Sequence, residues 1–79
     1  MAQHRYTVYF EPAEEGGYNA VFPAIPEICT FGRNLGEARA MASDALRCHL
    51  EGLAADGEPF PKEDRAFGEP VKEQLAVTL

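Results

Sequence analysis

Between Asn34 and Gly57 the sequence contains one long stretch whose apolar residues recur at helical spacing. Asn34 is a favourable N-cap, and Glu37 follows it at the position of a capping-box acid. Gly57 favours the left-handed conformation that ends a helix. We therefore predict one helix over about Leu35–Asp56. Because an amphipathic helix must bury its stripe against another element, the rest of the chain has to supply that surface. The predicted stripe consists of Leu35, Ala38, Ala42, Ala45, Leu46, His49 and Leu53.

The segments before and after this helix alternate apolar and polar residues, which is the period of half-buried strands. Pro12–Gly17 (PAEEGG) contains a breaker and a glycine pair that can adopt positive φ, so it predicts a hairpin. Pro23 and Pro26 bracket a short excursion that we expect to be extended, and we read Gly57–Pro70 as an ordered loop. The predicted strands are 5–11, 18–22, 28–31 and 71–79.

These elements give the order βββαβ and an α+β fold class. We expect a three-stranded antiparallel sheet plus a C-terminal strand, with one helix packed on one face by a right-handed crossover. The other face then lacks cover, although Tyr9, Val21, Phe31 and Ala76 point toward it. A chain of 79 residues builds only a thin core. We therefore expect one domain over residues 1–79 that forms a homo-oligomer, a dimer or a tetramer, through Tyr9, Val21 and Phe31.

The charge balance disfavours anionic partners. Thirteen acidic against seven basic residues give a formal net charge of −6, which repels phosphate backbones and anionic membranes and favours basic proteins. Met1–Arg5 has no signal-peptide character, and no apolar run approaches the roughly 20 residues that span a bilayer. We expect a cytoplasmic protein with no membrane partner and no direct binding of nucleic acid.

Several motifs together resemble one known family. Tyr18–Gly32 (YNAVFPAIPEICTFG) followed by Asn34–Ala38 (NLGEA) is similar to HicB-like antitoxins of HicA/HicB toxin–antitoxin systems. The resemblance covers nearly the whole chain and implies a partial ribonuclease H-like domain without that enzyme's catalytic carboxylates. It also implies binding and neutralisation of a small basic HicA-type toxin that cleaves mRNA. Many relatives carry Gly and Cys where this chain has Glu27 and Ile28, and many add a DNA-binding segment. We expect no separate DNA-binding domain here.

Glu37, Asp44 and Glu51 are seven residues apart, so they form one acidic ridge opposite the apolar stripe. With Glu14 and Glu15 of the hairpin, we predict that this ridge binds the basic partner. The alternative is a solvated helix face with local ion pairs, such as Arg47 with Glu51 or with Asp44.

The chemistry-bearing residues do not form a catalytic pattern. His49 falls in the apolar stripe and is expected to pack or to lie at an interface. Cys29 and Cys48 are expected to be buried thiols, and His49 points about 100° away from Cys48 around the helix. We predict no enzyme activity and no catalytic, cofactor or metal site. Two alternatives stay open: an orphan structural or regulatory homo-oligomer without a toxin, and an enzyme or small-molecule binder with a cleft near His49 and Cys29.

Overall fold

A computed structural model describes residues 3–62 and 72–79 of the chain. These residues form four strands and one helix in the predicted order βββαβ. The predicted α+β class is therefore confirmed. Residues 63–70 of the predicted loop and the predicted first residue of the last strand lie outside the described residues. The elements are β1 (Gln3–Pro12), β2 (Tyr18–Val21), β3 (Cys29–Gly32), α1 (Leu35–Ala55) and β4 (Lys72–Thr78).

The four strands form one sheet in the order β3-β2-β1-β4, with every neighbouring pair antiparallel. The long strand β1 is central, pairing with β2 from Tyr9 to Pro12 and with β4 from Gln3 to Tyr9. It follows that the two edge strands, β3 and β4, run in opposite directions. The expected right-handed crossover is therefore wrong, because that rule applies to parallel strands.

The ends of α1 are fixed by local hydrogen bonds. The Asn34 side chain accepts a hydrogen bond of 2.8 Å from the backbone N–H of Glu37, as expected of an N-cap. At the other end Gly57 has φ +70°, and its N–H donates to the Ala54 carbonyl while the Glu58 N–H donates to the Leu53 carbonyl. This pair of bonds is a Schellman motif. The sequence therefore predicted both helix ends.

The core lies between α1 and one face of the sheet. Tyr6, Val8 and Phe10 of β1 all point toward the helix and are buried, as the alternation predicted. From the helix, Leu46 and Leu50 are fully buried, and Leu50 was missing from the predicted stripe. Among the described residues, the buried apolar core consists of Tyr6, Val8, Phe10, Ala20, Phe22, Ile25, Ile28, Ala38, Ala42, Leu46, Leu50 and Val77.

Small residues allow the helix to approach the sheet closely near its N-terminus. A Cβ built on Gly32 would lie 2.2 Å from the backbone nitrogen of Ala38 and 2.5 Å from its Cα. Real Cβ atoms do not approach backbone this closely, so β3 and the first turns of α1 can pack in this way only with glycine at position 32.

Two connections differ in how well the sequence predicted them. The hairpin is confirmed: Gly16 and Gly17 have φ of +100° and +82°, and the Ala13 N–H donates to the Gly17 carbonyl. The expected extended excursion after Phe22 is wrong. The Ile25 N–H donates to the Phe22 carbonyl and the Ile28 N–H to the Ile25 carbonyl, which makes two successive turns. These turns satisfy the backbone while placing Ile25 in the core.

The segment after α1 packs against side chains of β1. The Tyr6 hydroxyl donates to the Pro61 carbonyl at 2.5 Å, and the rings of His4 and Phe60 meet edge to face with centroids 4.8 Å apart. Phe60 of this segment is partly buried and packs against the core. Within residues 3–62 and 72–79, no helix combines the length and apolar composition needed to cross a membrane.

Candidate partner-binding site

The acidic ridge lies on the outer side of α1. Asp44 and Glu51 are exposed, and the helix buries the opposite side through Ala38, Ala42, Leu46 and Leu50. Among the described residues, neither Asp44 nor Glu51 forms an ion pair. The predicted local pairs of Arg47 with these acids are therefore absent from the described part of the chain. Two of the three ridge acids remain open to a partner.

Glu37 differs from the other two acids because Arg33 holds it. Its carboxylate accepts from the Arg33 guanidinium at 2.8 Å and from the Arg33 backbone N–H at 2.8 Å. The hydrogen bond from the Arg33 side chain lowers the pKa of Glu37 below its ordinary value of 4.5. Glu37 thus accepts a hydrogen bond from the backbone N–H of Arg33, the residue before the N-cap, and closes the turn that precedes the helix. This arrangement is a variant of the capping box.

The hairpin acids lie at one end of the ridge. A Cβ on Gly17 would meet the Gly32 carbonyl at 2.5 Å, so the hairpin lies close to the end of β3, from which the chain enters α1. Glu14 and Glu15 are exposed in this hairpin. Glu51 lies 14 residues along α1 from Glu37, which is roughly 21 Å at the helical rise. The ridge acids are therefore spread along α1 rather than grouped in one compact cluster.

The predicted oligomer residues lie together on the sheet face away from α1, here called the open face. Tyr9 pairs with Val21 across β1 and β2, and Asn19 pairs with Phe31 across β2 and β3, so their side chains share this face. Phe31 is 42% exposed, which makes it one of two exposed large apolar side chains among the described residues. The alternation in the sequence thus placed these residues correctly.

A shallow groove of about 400 Å³ lies between the edge strand β3 and α1, here called the β3–α1 groove. Cys29 and Cys48 both border the groove and are exposed, so the expected burial of the two thiols is wrong. The physical reason is that Cys29 pairs with Val21 and shares the open face, whereas Cys48 lies on the outer side of α1 near Asp44 and Glu51. No sequence pattern predicted this groove as a binding surface. It is lined by Glu27, Ile28, Cys29, Thr30, Ala45, Cys48 and His49.

The groove brings together the residues of the enzyme alternative, His49 and Cys29, without assembling a recognisable catalytic set. His49 is half-buried, and no ion pair joins it to Glu27 or another described acid. Among residues 3–62 and 72–79, no three His, Cys, Asp or Glu side chains are grouped so that they could hold a metal ion. Apolar residues and one acid, Glu27, line the groove, which lies beside an edge of β3 that pairs with no described strand.

Comparison with known proteins identifies one family that this chain resembles. Residues 6–74 match the family model of the HicB-like antitoxin of bacterial toxin–antitoxin systems. The chain is 49% identical over 57 residues to Antitoxin HicB 1 of Photorhabdus laumondii and 42% identical over 57 residues to Antitoxin HicB of Escherichia coli. Each match covers 72% of this chain but only 37% and 41% of those relatives.

A shorter relative matches over most of both chains. A UPF0150 protein of Synechocystis is 34% identical over 61 residues, which is 77% of this chain and 77% of that protein. Together with the family match over residues 6–74, this identity shows that the likeness extends over most of the chain, including all of α1, and is not confined to one motif. The chain belongs to the HicB-like antitoxin family.

Proposed function

We propose that this chain binds and neutralises a small basic HicA-type toxin that cleaves mRNA. The observation that carries the proposal is the family match over residues 6–74, which includes β2, β3 and α1 completely, most of β1 and the first residues of β4. The chain acts without catalysis, by covering the RNA-binding face or the active site of the toxin. The toxin is thereby kept from RNA by steric exclusion and by competing negative charge.

The charge distribution supports a basic partner. The formal net charge is −6, and the exposed acids Asp44 and Glu51 form no ion pair with a described residue. A basic protein approaching this side of α1 meets charges that are not already neutralised. Complementary charge of this kind mainly raises the association rate, and the effect weakens as salt screens it.

Co-expression with the short basic protein encoded beside this gene tests the proposal. We expect the two proteins to co-purify, and we expect cells that express the basic protein alone to stop growing unless this chain is also present. A basic neighbour that is toxic yet neither binds this chain nor is suppressed by it would contradict the proposal.

Charge reversal tests the contribution of the ridge. The double substitution Asp44→Lys and Glu51→Lys should lower the association rate by about tenfold at low salt and flatten its salt dependence. Glu37 is left unchanged because its carboxylate also closes the turn before α1. The matched control is Asp56→Lys with Glu58→Lys, which changes two exposed acids beyond the helix and shifts the net charge equally. Equal rates for both double variants would show that the ridge is not the contact.

The open face supports a second activity, self-association, which is also the whole function in the orphan alternative. Tyr9, Val21 and Phe31 place apolar surface on one side of the sheet without described helix cover. We expect sedimentation velocity to show a dimer or tetramer that Phe31→Ser shifts toward monomer. A monomeric wild type would contradict this part, and a homo-oligomer that binds no toxin would favour the orphan alternative.

A further inference from the structure

We propose that the β3–α1 groove receives an extended basic segment of the toxin, which adds to the sheet as a fifth strand alongside β3. This inference rests on the proposed function and goes further by assigning the partner a conformation, a charge and a place. The groove is thus the part of the surface that gives affinity, whereas the acidic ridge mainly guides encounter.

The outer edge of β3 is available for pairing. Among the described strands, β3 pairs with β2 alone, in the order β3-β2-β1-β4. The N–H and C=O groups on its outer side therefore have no strand partner among the described residues. An extended peptide can add to such an edge, where backbone hydrogen bonds give affinity and pockets for alternate side chains give specificity.

The groove beside this edge has room for side chains of an added strand. A strand added to β3 would direct every second side chain toward the helix layer, where the groove lies. Its volume of about 400 Å³ falls within the range of roughly 300–1,000 Å³ found for ligand pockets. Ile28 and Ala45 give it an apolar floor. At β1, by contrast, the sheet is already contacted by the chain's own Phe60 and Pro61.

The acidic side chains around the groove favour a basic occupant. Glu27 lies at one wall of the groove, and none of the described residues that line it is a lysine or an arginine. On the helix wall, Cys48 lies four positions after Asp44 and three before Glu51, so both acids are its neighbours on the helix surface. A basic strand bound in the groove would therefore lie between acids of the strand side and acids of the helix side. A second copy that added through its own β3 would carry the same acids to the groove, so like charges would meet there.

A pair of arginine substitutions tests the assignment. Cys48→Arg places a positive charge in the groove, whereas Ala54→Arg adds the same charge at an exposed helix position 120° around from Cys48. The full chain carrying each substitution is titrated with the purified neighbouring toxin by isothermal calorimetry. We expect Cys48→Arg to weaken binding at least about tenfold and Ala54→Arg to leave it within about twofold. Circular dichroism and thermal unfolding of the free variants check that both fold.

A second measurement reports on strand addition itself. Backbone amide exchange of the wild-type complex, followed by NMR, should slow at the outward-facing residues within Cys29–Gly32 and stay unchanged at the other edge, within Lys72–Thr78. Equal binding by the two arginine variants, or a complex without new protection in β3, overturns the groove while leaving the proposed function intact. Protection of β3 in the free chain that grows with its own concentration also overturns it, by making a second copy the occupant. A wild type that binds no toxin overturns the proposed function together with this inference.

Discussion

Replacing Gly32 with alanine tests the closest contact between the sheet and the helix. The added Cβ would meet Ala38 N at 2.2 Å, Ala38 Cα at 2.5 Å and Glu37 C at 2.8 Å. All three atoms belong to the backbone of the first helical turns, so no side-chain rotation relieves the contact. The helix must move away from β3, and it loses core contacts as it does so.

The expected cost follows from two opposing effects. Overpacking in a well-packed core destabilises by about 1–3 kcal/mol, and contacts with rigid backbone place this case near 3 kcal/mol. Alanine also restricts the unfolded chain, which returns about 0.4–1 kcal/mol. The free energy of unfolding should therefore fall by about 2 kcal/mol, out of about 4–12 kcal/mol for a chain of this length. At about 4–8 °C per kcal/mol, Tm drops by roughly 8–16 °C.

Thermal and urea unfolding followed by circular dichroism measure this change. The matched control is Gly52→Ala, because a Cβ on Gly52 meets nothing within 4 Å and lies in the exposed face of α1. There alanine should stabilise the helix by about 1 kcal/mol and raise Tm. Opposite shifts from the same substitution at the two positions are the expected result. A Gly32→Ala protein as stable as wild type would refute the close approach of β3 and α1.

Substitutions at three further positions test the local contacts. Tyr6→Phe removes the hydrogen bond to the Pro61 carbonyl and should lower the free energy of unfolding by about 0.5–1.5 kcal/mol in urea titrations; no loss would mean that the segment after α1 does not dock there. Asn34→Ala removes the N-cap and should cost about 1 kcal/mol by the same assay, whereas Asn34→Asp should retain most of the stability. Glu37→Gln weakens the bonds to Arg33. Because the folded pKa of Glu37 is depressed, its contribution is present above the ordinary value of 4.5 and is lost as pH falls through the folded pKa. The gap in Tm between wild type and Glu37→Gln should therefore close in acid, and a gap independent of pH would contradict the ion pair.

Local patterns predicted the elements of this fold well. Asn34 and Gly57 bounded the helix because caps act through adjacent backbone groups, and alternation assigned the buried and open faces of β1. The direction of β4 could not be obtained in this way. It depends on the path of the chain after α1 and not on the pattern within the strand, so the crossover rule was applied to strands that are in fact antiparallel.

The candidate site was only partly predictable. Helical periodicity gave the acidic ridge, but it could not show that Glu37 would pair with Arg33, since Arg33 precedes the helix and its geometry depends on the turn. Likewise the β3–α1 groove arises between elements distant in sequence, and no spacing within the chain reveals it. The exposure of the two cysteines, by contrast, could have been predicted, because Cys29 alternates with Phe31 on the open face and Cys48 lies on the ridge side of the helix by its spacing from Asp44 and Glu51. An FG pair before a capped helix is one signal that could have indicated the close approach at Gly32.

Titration of the toxin's RNA cleavage tests the central claim most directly. Purified neighbouring toxin is incubated with a labelled mRNA, and this chain is added in increasing amounts. We predict that cleavage falls in proportion to the amount of chain added and stops at a fixed molar ratio. The Asp56→Lys/Glu58→Lys variant should inhibit cleavage as the wild type does. Undiminished cleavage in the presence of excess folded chain would contradict neutralisation, even if the two proteins form a complex.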